Sequence, residues 1–339
     1  MIQEITFGKI HIGETHPVVI IAEAAVEHLG SLQVAKRMAD AAKEAGADII
    51  KFQMHMQEEM IPHSIRFFGG DMDDVLNIYN LSTEDHRELI QYCKQIGIQY
   101  LCTPFCAAAA DALDQIGAEA YKTGSGELTN IPMQRHIAQK GKPMIVSTGM
   151  ATIEEIQETV AALREENATF MLTHCTSAYP PQYEQIHLRF IPKLKERFGV
   201  LVGHSDHTPD IYTAIAAVAI GARVIEKHFT LSRTLKGPDH HVSLEPHELK
   251  QMVEAIRKVE AALGDKKLIH EDELPVRSWA HHSVVSVQNI PADTLIQPQM
   301  VAVKRPGGGI PAKFLEQVYG RRTKRELPKH TLLRWEDIE

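Results

Sequence analysis

Short apolar runs alternate along this chain with longer stretches whose apolar positions repeat at i, i+3 and i+4. The runs that predict strands are "VVIIAE" (18–23), "DIIKFQ" (48–53), "QYLCTP" (99–104), "AYKTGS" (120–125), "PMIVST" (143–148), "TFMLTH" (169–174), "VLVGHS" (200–205) and "RVIEKH" (223–228). Between them, "SLQVAKRMADAAKEAGA" (31–47) and "TIEEIQETVAALREEN" (152–167) predict surface helices, the first with Gly46 placed to cap its C-terminus. Eight strand–helix alternations predict an α/β fold with a parallel sheet, and eight is the number that closes a TIM (β/α)8 barrel. An open doubly wound sheet is the alternative, but "AEAAVEHLGS" (22–31) after the first strand carries no GxGxxG turn.

The alternation stops near residue 264. "GDKKLIHEDELPVRSWA" (264–280) is polar and irregular and reads as a linker. Beyond it, "HSVVSVQNI" (282–290) and "QMVAVKRPGGGI" (299–310) are short β-like runs. The expected organisation is a barrel domain over 1–263, a linker over 264–280 and a small mixed domain over 281–339. The last is too small to hold much core alone. The insertion 54–82 is long for a strand-to-helix connection and is expected to shape a substrate site.

Composition narrows the class. The chain has 339 residues, 44% hydrophobic and 24% charged, which suits a globular protein with a sizeable core. A formal net charge of −8 argues against a general nucleic-acid binder, because neutralising phosphates needs clustered Lys and Arg. The four cysteines (Cys93, Cys102, Cys106 and Cys175) have neither CxxC spacing nor a disulfide-rich pattern. "MIQEITFGKI" is not a signal peptide, and nothing approaches a membrane-spanning apolar run. The expectation is a soluble cytoplasmic protein that binds neither membrane nor nucleic acid.

The strand ends carry the chemistry. Barrel enzymes build their sites at the C-terminal ends of the strands. Those positions here are Glu23, then Lys51 and Gln53, Thr103, Lys122 with Ser125 and Glu127, Ser147, His174 with Tyr179, the set His204, Asp206 and His207, and Glu226 with His228. One polar strand end is ordinarily structural, but eight in register point to a site. Lys51 and Lys122 with the hydroxyls of Thr103, Ser125 and Ser147 could cradle a phosphate. His207 and His228 end adjacent strands, and neutral imidazoles suit Mn, Fe, Co or Zn, whereas an isolated histidine would more simply be a core residue bonded to backbone. His174 and Cys175 point to opposite faces of one strand and cannot form a nucleophile–base dyad. "KRPGGGI" (304–310) lacks the GKS/T ending of a phosphate loop and fits a flexible loop that carries Arg305 to a ligand. "RRTKRELPKH" (321–330) reads as a solvated face.

Ten motifs occur in order: "IIAEAAVEHLGS", "IIKFQ", "LCTPF", "YKTGSGE", "STGM", "HCTSAYP", "GHSDHT", "IEKHFT", "KGPDH" and "VKRPGGG". From about residue 4 to the end, the chain resembles the bacterial sialic acid synthase family, which includes N-acetylneuraminate, legionaminic acid and pseudaminic acid synthases. The resemblance implies a TIM barrel followed by a mostly-β antifreeze-like (SAF, β-clip) domain, in a domain-swapped homodimer. It implies condensation of phosphoenolpyruvate with an N-acetylated aldose, such as N-acetylmannosamine or a diacetamido-trideoxyhexose, by C–O cleavage with release of phosphate. The divalent metal implied is Mn²⁺, with Mg²⁺ or Co²⁺ as substitutes.

By the same resemblance, Lys51, Thr103, Lys122, Ser125, Ser147 and Ser177 match the phosphoenolpyruvate pocket, Ser177 standing where many members have Asn. His207 and His228 match the metal ligands, and Gln53, Tyr179 and Asp239 the sugar contacts. Arg305 matches the guanidinium that the partner's small domain lends to the N-acetyl group, and Trp279 an aromatic seated against the partner's site. Glu23 and Glu127 are the acid/base candidates. One motif departs: members commonly read AEIGxNHNG where this chain has AEAAVEHLG (22–30), so Glu27 replaces an Asn in a loop bordering the sugar. The rival readings are a metal-dependent pyruvate aldolase on the same fold, a Schiff-base aldolase using Lys51 or Lys122, and a non-catalytic sugar-binding protein.

Overall fold

The eight apolar runs become eight parallel strands. In the computed structural model they are β3 (Val19–Ala25), β4 (Ile49–Met54), β5 (Gln99–Pro104), β6 (Tyr121–Thr123), β7 (Met144–Ser147), β8 (Phe170–Cys175), β9 (Val202–Asp206) and β10 (Val224–His228). Before them, β1 (Ile5–Phe7) and β2 (Ile10–Ile12) form an antiparallel hairpin. The structure describes residues 3–56, 59–61, 66–67, 70–71, 74, 79–235, 237 and 239–339, so most of the insertion at 54–82 lies outside the described residues. Two compact units result, Met1–Gly264 and Asp265–Glu339.

In the first unit the hydrogen-bonded strand order is β5-β4-β3-β10-β9-β8-β7-β6, and the end strands β5 and β6 meet across the remaining seam. This is a TIM barrel. Its helices are α1 (Leu32–Ala45), α2 (Thr83–Ile96), α3 (Ala107–Gln115), α4 (Ile131–Ala138), α5 (Ile153–Glu165), α6 (Phe190–Phe198), α7 (Tyr212–Ala219) and α8 (Pro246–Ala262). Local chemistry fixes their ends. Ser31 caps α1 by accepting from the Val34 N–H, and Gly46 closes it at φ 89°, a left-handed conformation that glycine adopts without strain. Capping boxes at Ser82/Asp85 and Thr152/Glu155 start α2 and α5.

Strand alternation then sorts the side chains. Outward residues such as Ile20, Ile50, Val146 and Leu172 pack under the helices in one large core. Inward residues at the N-terminal ends (Val19, Ile21, Ile49, Leu101, Ile145, Met171 and Val224) form a second cluster, plugged by Ile5, Phe7, Ile10 and Ile12 of the hairpin. One step further along each strand, the inward face turns polar: Glu23, Lys51, Thr103, Lys122, Ser147, Thr173, Ser205 and Glu226, all buried.

The second unit has its own small core, in which Val284, Ile290, Ile296, Val301, Leu327 and Leu333 take part. It pairs β11 (Ser283–Ser286) with β12 (Val301–Lys304), and isolated bridges complete a mostly-β arrangement. The segment that read as irregular linker contains a helix, α9 (Leu274–Ala280), which Pro275 pre-organises in its first turn.

The hairpin plug predicts a stability effect separable from chemistry. Phe7→Ala, at a site only 4% exposed, is expected to cost about 3–5 kcal/mol, read as a lower denaturant midpoint.

Candidate active site

The polar layer holds four ionisable groups that a barrel interior would not ordinarily accept. Lys51 Nζ lies 2.7 Å from Glu23 Oε2 and 3.7 Å from Glu226 Oε1, and Lys122 Nζ lies 3.8 Å from the same Glu226 atom. Burial works against every charge here, so the pairing decides each state. For Lys51, burial is outweighed by Glu226 and Glu23, and its ammonium is held above its ordinary pKa. For Glu226, Lys122 and Lys51 overcome burial and pull the carboxyl below its usual range. Glu23 goes the other way: burial, with Glu226 adding to it, raises its pKa despite Lys51. Burial also lowers the pKa of Lys122, which Glu226 only partly offsets. Two carboxylates share one close ammonium, and Glu23 is the one with raised proton affinity.

Beside this cluster is a ring of hydroxyls. Lys51 donates to Thr103 Oγ1 at 3.0 Å. Ser125 Oγ and Ser147 Oγ are 2.9 Å apart, and the Gly149 N–H donates to Ser125 Oγ at 3.1 Å. A Cβ at Gly149 would collide with Ser177 Oγ and come within 2.6 Å of Ser125 Oγ, so three serines converge where only glycine fits. Hydroxyls and a backbone N–H beside two lysines are donors suited to phosphate oxygens.

The histidines stand on strand ends next to this cluster, His228 paired in register with Glu23. The His207 and His228 ring centroids are 5.2 Å apart, and Tyr179 stacks on His207 at 4.1 Å. His207 Nδ1 donates to the Thr176 carbonyl at 3.0 Å, which leaves its Nε2 lone pair available. His228 Nδ1 is buried without a hydrogen-bond partner and lies 3.7 Å from Asp239 Oδ2. Burial lowers the pKa of both imidazoles, which keeps them neutral as metal ligation requires. Among the described residues no group of three or more His, Cys, Asp or Glu could hold a metal ion. A metal at the two imidazoles would therefore keep coordination positions open for water and substrate, and the orphaned nitrogen fits that use.

The other expected site residues are dispersed. Gln53 donates to Glu23 Oε1 at 2.9 Å, which ties it to the acid/base group. Glu127 accepts from Asn130 Nδ2 at 3.1 Å, and burial raises its pKa. Arg305 is in the second unit, where its guanidinium lies 5.5 Å over the Trp279 ring and donates to the Ala280 carbonyl. Ser177 Oγ is 3.7 Å from Cys175 Sγ.

Three strand-end residues of the sequence reading do not face the barrel interior: His174 packs against Phe190, and the other two are on β9. His204 and Asp206 share the outward parity of their strand: His204 Nδ1 donates to the His174 carbonyl, and Asp206 pairs with Lys227 at 2.8 Å. Sequence reasoning gave Glu226 no role of its own, although it shares inward parity with His228, and this was the signal available. It also missed the Asp206–Lys227 pair and the contact between Glu27 and His240, since each joins residues that only the fold brings together.

Comparison with known proteins points the same way. Residues 38–268 match the NeuB family, and residues 281–339 match the SAF domain. The N,N'-diacetyllegionaminic acid synthase of Legionella pneumophila is 35% identical over 335 residues, 94% of this chain and 94% of that protein. The N-acetylneuraminate-9-phosphate synthase of Homo sapiens is 36% identical over 303 residues, 86% of this chain and 84% of that protein. The solved N-acetylneuraminic acid (sialic acid) synthetase of Leptospira borgpetersenii, in complex with citrate, shares 36% identity. It superposes with a TM-score of 0.74 over 81% of this chain and 95% of its own.

The ion cluster makes a pH-dependent prediction. Glu226→Gln removes the anion between Lys51 and Lys122 and is expected to destabilise the fold by about 3 kcal/mol at pH 7. Lys122 already has a folded pKa below its unfolded value, so its charge is a cost at low pH that fades as pH rises from the folded value to the unfolded one. Denaturant midpoints of the variant and wild type should therefore converge as pH rises toward about 10.

Proposed function

This chain belongs to the NeuB family and ends in an SAF domain, and from that membership we propose that it is a phosphoenolpyruvate-dependent nonulosonic acid synthase. The acceptor is an N-acetylated aldose such as N-acetylmannosamine or a diacetamido-trideoxyhexose. One observation carries the reading: the strand ends of one barrel carry two lysines, converging serines and a pair of neutral imidazoles, with a proton-avid Glu23 beside Lys51.

The roles follow from these positions. Lys51 and Lys122, with Thr103, Ser125, Ser147 and Ser177, bind the phosphate and carboxylate of phosphoenolpyruvate and favour the negative charge that grows on the departing phosphate. C3 of the enol phosphate attacks the aldehyde carbon of the open-chain sugar, forming the C–C bond and leaving a cation at C2. Water then adds to C2 and gives its proton to Glu23 or Glu127, and the tetrahedral intermediate expels phosphate with C–O cleavage. Glu23 suits the base because its raised pKa brings proton transfer nearer to neutral pH. Gln53, Tyr179 and Asp239 hold the sugar. His207 and His228 would hold a divalent ion, Mn²⁺ first and Mg²⁺ or Co²⁺ as substitutes. Such an ion, when bound, supplies Lewis-acid polarisation of the aldehyde oxygen.

The assembly we propose is a domain-swapped homodimer in which Arg305 completes the partner's sugar pocket. In support, Leu268, Ile269, Leu274, Val276 and Trp279 are each more than half exposed, apolar surface that a second copy would cover. We place the protein in the cytoplasm. Its four cysteines are all buried, and among the described residues no helix is long and apolar enough to cross a membrane.

One rival has an observation in its favour. The lowered pKa of Lys122 is what an imine-forming aldolase lysine needs. Treating the protein with pyruvate and borohydride separates the two, since an unchanged protein mass removes the Schiff-base reading.

Phosphate release from phosphoenolpyruvate with Mn²⁺ and a panel of N-acetylated aldoses is expected for one sugar and abolished by EDTA. No release with any of them, from folded and metal-loaded protein, would sink the synthase proposal for that panel. Glu23→Gln should lower kcat by about a hundredfold or more while phosphoenolpyruvate still binds, as measured by stopped assays and calorimetry.

A further inference from the structure

Glu27 is buried in the turn that follows β3, four residues beyond Glu23, and its carboxylate faces protein. Oε1 accepts from the Asp239 backbone N–H at 2.7 Å, and Oε2 lies 2.5 Å from His240 Nδ1. The same ring nitrogen is 2.8 Å from Thr230 Oγ1, and Ser243 Oγ donates to the Asp239 carbonyl at 2.7 Å. A Cβ at Gly237 would approach His240 Nε2 to 2.7 Å and Glu27 Oε2 to 3.0 Å, so the backbone passes tightly over the pair. The other end of this arrangement is the Asp239 carboxyl, 3.7 Å from His228 Nδ1.

The turn that presents Glu27 is itself strained. Ala25 and Leu29 both sit at left-handed φ, 45° and 53°, a conformation that residues with a Cβ avoid. Hydrogen bonds from Glu27 N to Ala24 O and from Leu29 N to Val26 O hold it closed. A side chain one methylene shorter, such as Asn, reaches less far and offers a single acceptor oxygen without charge. It could not serve the Asp239 amide and the His240 ring as this carboxylate does.

We propose that Glu27 is a positioning residue for sugar selectivity. By holding the Asp239 N–H and the His240 ring it fixes where the Asp239 carboxyl stands, and so decides which N-acetylated aldose fits. The inference rests on the synthase reading of the site, with Asp239 as a sugar contact. Glu27 touches no substrate in this scheme. It works through Asp239, at the sugar end and away from the phosphoenolpyruvate cradle.

The test uses the full chain with Glu27→Ala and Glu27→Gln. Glu27→Ala is expected to raise KM for the preferred sugar about tenfold, to leave KM for phosphoenolpyruvate within about twofold, and to shrink the kcat/KM ratio between the best and second-best sugars. Glu27→Gln keeps an acceptor for the Asp239 N–H but loses the charge toward His240, and should fall between Ala and wild type; it also carries the test if the Ala variant fails to fold. Equal rises in both KM values, or an unchanged sugar ratio, would overturn the proposal. A second readout needs no turnover: hydrogen exchange in a peptide covering 239–243 should accelerate about tenfold in Glu27→Ala while the β10 peptide keeps its rate. Unchanged exchange at 239–243 overturns the latch whatever the activity. Accelerated exchange with no turnover of any sugar by the wild type supports the latch and counts against the synthase reading instead.

Discussion

The interaction on which the rest of this structure depends is the mutual neutralisation of Glu23, Lys51, Glu226 and Lys122 inside a closed barrel. Each charge would be too costly to bury alone, and together they are arranged so that none is. The arrangement is also uneven. Glu226 serves both lysines and stays ionised, which leaves Glu23 with one shared ammonium and a raised pKa. A layer with balanced pairs would be a structural core. This one keeps a carboxyl ready for protons and positive charge ready for an anionic substrate.

The barrel makes that layer tolerable by separating functions along its axis. Toward the N-terminal ends the interior is apolar and plugged by the β1–β2 hairpin. Behind the site, on the outward face of β9 and β10, Lys227 and Asp206 form a second buried pair. Thr208 and Thr213 complete it at 2.9 Å and 2.6 Å. For Asp206, burial is overcome by Lys227 and His204, and the carboxyl stays ionised. Because Asp206 and Lys227 directly precede His207 and His228, this pair fixes the strand ends from which the two imidazoles project. Removing one partner would leave an unpaired charge in the helix layer and release both ends at once.

The end that we propose for the sugar draws on loops as well as on the end of β4. Tyr179 lies over His207, Gln53 is tied to Glu23, and Asp239 is held by Glu27 from a neighbouring turn. Burial, Glu27 and Glu23 push the Asp239 carboxyl up to about 7, so the sugar end carries less fixed negative charge than its residue count suggests. Loop-borne contacts can change between relatives without disturbing the charge layer beneath them. Substrate identity can vary there while reaction chemistry stays constant.

The sequence by itself determined the barrel, because short apolar runs and capped amphipathic segments are local signals that physics reads locally. It also determined which residues stand at the strand ends, since alternation along "RVIEKH" and "DIIKFQ" assigns each side chain a face. Lys51, Lys122, His207 and His228 were legible for that reason. Which of these meet was decided only by tertiary structure. The cyclic strand order β4-β3-β10 brings Lys51, Glu23 and Glu226 within reach although they are far apart in the chain. Chain folding likewise set Glu27 against Asp239 and His240, 212 positions away in the case of Asp239. Pairings of this kind depend on distances across the fold, and no spacing along the chain encodes them.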